Sequence, residues 1–135
     1  MGNDAPPPQA DDTQEPTAGR FAYDGIDRLL HERARLSILA SLVSHVDGLA
    51  FNDLKHLCSL TDGNLSRHAA MLDEAGLIEI TKGVRGNRPL TRCRLTEDGR
   101  QRFLNYIQVL QHVVEDAKAA SPSEPPSAAQ RWSPA

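Results

Sequence analysis

Apolar residues in the first half of the chain recur at steps of three and four, which is the spacing of one face of an α-helix. These positions are Ile26, Leu29, Leu30, Leu36, Leu39, Ala40, Val43 and Val46. The pattern predicts a helix over residues 27–46, with Asp24 or Asp27 as an acid near its positive end. Asp47 and Gly48 are expected to end it. A helix of this length is a candidate scaffold or dimer element.

A short strand and a short helix are predicted next. Residues 49–51 form a brief apolar run that suggests a strand. Asn52 can cap a helix over residues 53–58, and that helix is expected to bury Leu54 and Leu57.

A second, longer helix follows after a brief turn at residues 59–60. Thr61 can cap this helix over residues 62–75, and Gly76 can end it. Its apolar stripe predicts which side chains are buried, and His68 lies on the flank of that stripe. The predicted buried residues are Leu65, Ala69 and Leu72.

The pattern changes to a period of two after Gly76, which is typical of a strand. Residues 77–81 and 91–95 are predicted to pair as a hairpin around a loop over residues 83–89. Thr96 can then cap a last helix. One face of that helix is apolar and holds Phe103, Tyr106, Ile107, Leu110 and Val114.

Composition separates this core from two tails. Residues 1–20 contain four acids, one base and a proline triplet, but no Leu, Ile, Val or Phe. Residues 121–135 are rich in Ser and Pro. Neither tail can bury enough apolar surface to offset the entropy of ordering it. We therefore expect both tails to be disordered and residues 21–120 to form one domain.

The distribution of charge matters more than its sum. The formal net charge of −3 would by itself disfavour a nucleic-acid partner. The acidic excess, however, lies in residues 1–20, and residues 21–120 are balanced. Five bases and no acid lie on the predicted hairpin: Lys82, Arg85, Arg88, Arg92 and Arg94.

Two helices joined by a tight turn form a helix-turn-helix unit, whose second helix enters the major groove of DNA. Here the start of that helix offers short hydrogen-bonding side chains and one long base. Asn64 can contact adenine, Arg67 can contact guanine or phosphate, and the basic hairpin can reach the backbone or minor groove. His68 is either a half-buried, hydrogen-bonded residue or a phosphate contact, and Arg94 faces solvent or pairs with an acid.

The stretch LTDGNLSRHAAMLDEAGLIEITKGVRGNRPLTRCRLTEDGR resembles the winged helix-turn-helix core of the MarR and ArsR-like bacterial transcription regulators. The resemblance extends over residues 24–114. It implies a mainly α fold with a small β-hairpin wing, in a homodimer that binds a palindromic operator, usually as a repressor. Ala69 departs from the pattern, because the family commonly has Leu there, and its core contact is smaller.

The resemblance and the charge pattern together define a set of DNA-contacting residues. On the predicted recognition helix they are Thr61, Asp62, Asn64, Ser66, Arg67 and His68. On the wing they are Lys82, Arg85, Asn87, Arg88 and Arg92.

Other functions have weaker support in the sequence. The candidate metal-ligand spacings in the sequence are limited to His56 with Cys58 and His112 with Glu115. A zinc site usually has four ligands, so we expect neither a metal nor another cofactor. We find no nucleophile or phosphate-loop motif, so we do not expect an enzyme. With no membrane span or secretory signal evident, we expect a cytoplasmic protein that dimerises through its long first and last helices. A protein-binding winged helix and an ArsR-like metal or redox sensor remain the alternatives.

Overall fold

The computed structural model describes residues 18–120, 122, 133 and 134. The predicted mainly α fold with a β-hairpin wing is confirmed. Most of both predicted disordered tails lies outside the described residues. The elements are α1 (Arg33–Val43), β1 (Leu49–Ala50), α2 (Phe51–Cys58), α3 (Asp62–Glu74), β2 (Ile78–Arg85), β3 (Arg88–Leu95) and α4 (Glu97–Lys118).

Helix α1 is shorter than predicted, and the prediction of a helix over residues 27–46 is wrong at both ends. Glu32 has an extended backbone and caps α1, because its carboxylate accepts the backbone N–H of Arg35 at 2.8 Å. At the other end Ser44 is the C-cap, and Val46 lies outside the helix with 68% of its surface exposed. With 11 residues, α1 is shorter than the long first helix expected from the sequence.

The residues before α1, which we call the N-terminal segment (residues 18–32), are not helical but pack along α4. The Asp27 carboxylate accepts two backbone N–H groups of its own turn and forms an ion pair with Arg102 of α4 at 2.6 Å. Leu30 from this segment is fully buried in the core. Of the apolar positions before Arg33, Leu30 is buried and Ile26 and Leu29 are partly buried, and a capped turn places them against the core instead of the predicted helix.

Helix α2 begins earlier than predicted, at Phe51, and this shifts its buried side. Leu54 is buried as expected, and Cys58 one turn later is buried with it. Leu57 was expected in the core, but 58% of its surface is exposed. A stripe of Phe51, Leu54 and Cys58 follows the helical spacing of three and four and leaves Leu57 on the outer face.

Helix α3 begins and ends close to where the sequence predicts. The hydroxyl of Thr61 accepts the backbone N–H of Asn64 at 3.1 Å, which is the predicted N-cap. The helix ends at Glu74, with Gly76 in the left-handed conformation after it, at φ +79°. Such a residue closes the last turn through backbone bonds, and here the N–H of Leu77 donates to the carbonyl of Leu72 at 2.9 Å.

The three strands form an antiparallel sheet in the order β1-β3-β2. The hairpin of β2 and β3 is longer than predicted, because pairing continues to Arg85 and Arg88 and leaves a turn of two residues, Gly86 and Asn87. Gly86 has φ +65°, and glycine at the first turn position is characteristic of a tight hairpin turn. The predicted loop over residues 83–89 is thus mostly strand, and this extended hairpin is the wing.

Helix α4 is anchored to the sheet by its first turn. The hydroxyl of Thr96 accepts the backbone N–H of Gly99 at 2.9 Å and donates to the carbonyl of Leu77 at 3.0 Å. Gly99 is buried against that same carbonyl. Phe103 and Tyr106 then enter the core as predicted. The predicted apolar face continues into the second half of the helix, which leaves the core.

The core is built mainly from leucines of the N-terminal segment, α1, α2 and α3, and α4 adds Phe103 and Tyr106. Its fully buried large side chains are Leu30, Ile38, Leu39, Leu42, Leu54, Leu65, Leu72, Ile78 and Cys93. Cys58 and Cys93 are both buried and unbridged, as expected for small apolar residues.

Candidate nucleic-acid interface

Helix α3 is held against the core by one face and presents the other to solvent. Leu65, Ala69 and Leu72 are fully buried, as predicted. The turn from α2 into α3 passes through Ser59, which has a left-handed backbone at φ 53°. A backbone hydrogen bond from the N–H of Leu60 to the carbonyl of Lys55 then fixes the direction in which α3 leaves.

The exposed face of α3 carries most of the side chains predicted to contact DNA. Those that are exposed are Thr61, Asp62, Asn64, Ser66 and Arg67. Asp62 forms an ion pair with Lys55 of α2 at 3.1 Å, a contact the sequence analysis missed because it joins two helices. The Arg67 guanidinium lies 3.4 Å from the side-chain oxygen of Asn64, one turn earlier. Asn64, Ser66 and Arg67 therefore share an open surface.

His68 is placed differently, with only 8% of its surface exposed. Its Nδ1 lies 3.1 Å from the guanidinium of Arg35 on α1. Of the two predicted roles, this is the buried, hydrogen-bonded one, and a side chain so enclosed does not face a phosphate. We therefore leave His68 out of the DNA-facing set.

The wing separates its basic residues onto two faces. Lys82 is paired with Thr91 in register, two residues beyond the pair of partly buried Ile80 and buried Cys93, so these residues share one face of the hairpin. Arg85 and Arg88 lie directly opposite each other on the other face, next to the turn at Gly86 and Asn87. The four polar residues Lys82, Arg85, Asn87 and Arg88 are all exposed.

Two of the five wing bases already have partners within the chain. Arg92 donates to the backbone carbonyls of Asp47 and Gly48 at 3.3 and 3.2 Å. Arg94 forms an ion pair with Glu79 across the strands at 2.7 Å, and this contact raises the pKa of its guanidinium. Arg94 thus pairs with an acid, one of the two alternatives predicted for it. Arg92 is therefore a predicted DNA contact whose guanidinium already forms hydrogen bonds within the described chain.

The other wing bases are differently situated. Among residues 18–120, no carboxylate lies within ion-pair distance of Lys82, Arg85 or Arg88. Like charges directly across a strand pair are destabilising. The pairing of Arg85 with Arg88 therefore keeps two cations together at the wing tip without an acid to offset them, which is the charge arrangement of an anion-binding surface.

An open cleft joins the two parts of this surface. It has a volume of about 290 Å³ and lies between α3 and the base of the wing. Ser66 of α3 and Lys82 and Thr91 of the wing line it, with Phe51, Ala69 and Ile80 forming its apolar floor. The exposed face of α3 and the wing are therefore neighbours on one surface, which we call the basic face.

Two observations in the described part of the chain concern metal binding and thiol chemistry. Within residues 18–120, no three His, Cys, Asp or Glu side chains lie close enough to hold one metal ion. Burial raises the pKa of the Cys93 thiol to about 11, with a smaller contribution from Asp73. That thiol stays protonated near neutral pH, whereas metal binding and oxidation need the thiolate.

None of the helices in the described residues is both long enough and apolar enough to cross a bilayer.

A helix-turn-helix with an exposed polar recognition helix, followed by a basic β-hairpin, defines the class of winged helix DNA-binding proteins. The chain belongs to this family, because the winged helix DNA-binding domain family matches residues 34–114. It is a DNA-binding transcriptional regulator of the MarR-like kind.

Individual relatives and solved structures are similar to this chain. The uncharacterized protein MJ0432 of Methanocaldococcus jannaschii is 39% identical over 85 residues, covering 62% of this chain and 91% of the relative. A transcriptional regulator homologue from Pyrococcus horikoshii OT3 has a similar structure, with a TM-score of 0.63 and 26% identity over 67% of this chain and 89% of the other. A MarR-family regulator from Silicibacter pomeroyi gives a TM-score of 0.50 and 25% identity, over 70% and 63% of the two chains.

Proposed function

We propose that this protein is a homodimeric, non-enzymatic repressor that acts in the cytoplasm on a palindromic operator. Helix α3 enters the major groove, and the wing contacts the neighbouring backbone or minor groove. The observation that carries this proposal is the basic face, where polar side chains of α3 adjoin wing cations for which the described residues provide no acidic partner.

The side chains of α3 divide into base contacts and backbone contacts. Arg67 and Asn64 are the residues whose geometry suits bidentate contacts with guanine and adenine. Ser66 lies beside the cleft that leads to the wing, so it can donate to a phosphate. Thr61 uses one lone pair of its hydroxyl oxygen as a cap, and its hydroxyl proton can still be donated to DNA. Asp62 can accept from cytosine once Lys55 offsets its charge.

The wing supplies contacts that do not depend on sequence. Arg85 and Arg88 flank the tip, and a phosphate between them would relieve their mutual repulsion. Asn87 in the turn can donate to the same backbone. Lys82, on the face of the hairpin toward α3, is placed for a phosphate nearer to the recognition helix.

The second half of α4 supports the proposed homodimer. Val114 is 48% exposed, and the exposed Phe21 adjoins the same end of the helix. A second copy would cover this apolar surface. It would also supply the second half-site contact that a small module needs for specific binding. The dimer surface therefore involves α4 and the N-terminal segment instead of a long first helix.

The dimer is tested with Val114→Asp, because a charge at this exposed position disfavours an apolar interface and leaves the core untouched. Light scattering should show a dimer for the unaltered chain and a monomer for the variant. Gln101→Asp, on an exposed part of the same helix nearer the sheet, is the matched control and should remain dimeric. A monomeric unaltered chain would refute the dimer.

The DNA function is tested by selecting bound duplexes from a random pool with the full chain. A dyad whose half-sites are about one helical turn apart is expected. Arg67→Ala should reduce discrimination between sites, whereas Arg88→Ala should weaken all duplexes alike. If the chain binds no duplex in a salt-dependent way, the protein-binding alternative replaces this proposal. Repression itself is tested by a reporter behind the selected site, where activation instead of repression would correct the direction.

A further inference from the structure

We propose that Arg35 of α1 fixes the tautomer of His68 and thereby keeps Arg67 free to contact DNA. The inference rests on the proposed DNA-binding function and names a positioning residue for it. Arg35 itself lies away from the exposed face of α3, with its side chain only 13% exposed.

His68 lies between two guanidinium groups. Arg35 approaches Nδ1 at 3.1 Å, and Arg67 approaches Nε2 at 3.5 Å. The third charged group is Glu32, whose carboxylate lies 3.9 Å from Nδ1 and 4.0 Å from the Arg35 guanidinium. The ring is thus enclosed by two cations and one anion that come from different elements.

The two guanidinium groups cannot both bond to a neutral ring. A neutral histidine has one acceptor nitrogen and one N–H, and arginine can only donate. A protonated ring would have no acceptor and would add a third positive charge between the two arginines. Only one arginine can therefore be the donor to His68.

The geometry selects Arg35 as that donor. Its contact is the shorter of the two, and its Nε also donates to the carbonyl of Leu29 at 2.6 Å, which holds the side chain in place. Arg67, by contrast, is an exposed side chain on the outer face of α3. Nδ1 therefore accepts from Arg35, and the ring proton lies on Nε2.

The tautomer of His68 determines whether Arg67 can form a hydrogen bond with it. With a proton on Nε2, the ring and the Arg67 guanidinium face each other as two donors, so His68 cannot hold Arg67. The remaining partner of Arg67 within the described chain is Asn64, at 3.4 Å on the same exposed face. Arg67 is thereby left with unused donors where the major groove would lie.

Removing Arg35 should reverse this arrangement. In Arg35→Met the acceptor nearest to Nδ1 is the Glu32 carboxylate, which favours a proton on Nδ1. Nε2 then has a free lone pair and accepts from Arg67, which is drawn back against α3. Arg33→Met is the matched control, because Arg33 is an exposed arginine two residues earlier in the same helix.

The direct test is nitrogen NMR of the full chain labelled in its histidines, without DNA and at a pH where the ring is neutral. The unaltered chain and Arg33→Met should show the proton of His68 on Nε2, and Arg35→Met should show it on Nδ1. A proton on Nδ1 in the unaltered chain overturns the proposal, whether or not any variant folds. An unchanged tautomer in Arg35→Met overturns it as well.

The coupling to DNA is measured by fluorescence anisotropy on a duplex recovered by selection with the unaltered chain. Arg35→Met should bind about tenfold more weakly, the scale of one good base contact. Arg35→Met in an Arg67→Ala background should cause no further loss, because the two changes act through the same side chain. Additive losses would assign Arg35 a structural role and overturn the coupling.

The two proposals fail in different ways. If the tautomers behave as expected but the unaltered chain binds no duplex, the proposed function fails and the assignment of the tautomer stands. If the unaltered chain binds DNA and Arg35→Met binds equally well, the function stands and the coupling to Arg67 fails.

Discussion

The salt dependence of DNA binding should reveal how many wing cations meet phosphate. The sequence alone offers five, but the structure engages two of them within the chain, Arg92 with backbone carbonyls and Arg94 with Glu79. Three remain, namely Lys82, Arg85 and Arg88. Each phosphate contact contributes about 0.9 to the slope of log affinity against log salt, so the wing of one protomer should contribute about 2.7 instead of about 4.5.

Variants that each remove the charge of one wing arginine distinguish three phosphate contacts from five. Arg88→Gln or Arg85→Gln should flatten the slope by about 0.9 per protomer. Between about 50 and 200 mM salt, one such contact accounts for a change of roughly 3.5-fold in affinity. The double variant Glu79→Gln with Arg94→Gln removes an ion pair without changing the net charge, and it should leave the slope unchanged.

The assay is fluorescence anisotropy with a labelled duplex of random sequence, titrated with the full chain at several salt concentrations. Differences between slopes are compared, because contacts outside the wing contribute equally to every variant. The reasoning is refuted if the Glu79 and Arg94 double variant flattens the slope as much as Arg88→Gln does. It is also refuted if neither Arg85→Gln nor Arg88→Gln changes the slope.

Three further predictions concern the scaffold and the tail. Gly99→Ala should destabilise the fold by about 1–3 kcal/mol in urea unfolding, since its Cβ would overlap the Leu77 carbonyl; a gain of about 0.5–1 kcal/mol, as helix propensity alone predicts, would contradict this close contact. The hydrogen bond from Arg102 lowers the pKa of Asp27, so Asp27→Asn should lose up to about 1 kcal/mol at about pH 7. That loss should vanish as the pH falls below the lowered pKa, where the carboxyl of the unaltered chain is protonated too; a loss that persists below that pKa would exclude the ion pair as its cause. Deleting residues 1–17, which contain four acids and no Lys or Arg, should tighten binding to random DNA if this tail competes for the wing, and unchanged affinity would refute that competition.

Local signals in the sequence were sufficient for the recognition helix. The Thr61 cap, the buried stripe of Leu65, Ala69 and Leu72, and the glycine end at Gly76 all depend on residues within one helix. Spacing and capping chemistry therefore predicted this element well. Its exposed polar face followed from the same periodicity.

Contacts between distant residues account for what the sequence did not predict. Periodicity alone extended α1 back to Asp27, whereas a carboxylate cap at Glu32 and the ion pair of Asp27 with Arg102 favour a turn there. The predicted burial of Leu57 was wrong because tertiary packing places the side of α2 with Leu54 and Cys58 against the core. Such tertiary partners leave no periodic signal.

The same limit applies to the candidate site. Charge alone made Arg92 and Arg88 equivalent, and only the register of the strands and the position of the loop between α1 and β1 distinguish them. His68 was left between two roles because its flank of α3 could face either α1 or solvent. Arg35 decides that question from another helix, so no motif on α3 could have identified it.

The core of this protein extends beyond the part that similarity to the family defines. The family match begins at residue 34, yet Leu30 is fully buried and the carbonyl of Leu29 holds Arg35. The N-terminal segment is in turn fixed to α4 by Asp27 and by a hydrogen bond from Tyr23 to Asp116, which lies beyond the other end of the match. Any change that moves this segment along α4 must therefore also move the anchor of Arg35. The recognition helix is in this way connected, through Arg35 and His68, to the surface where we place the second copy of the chain.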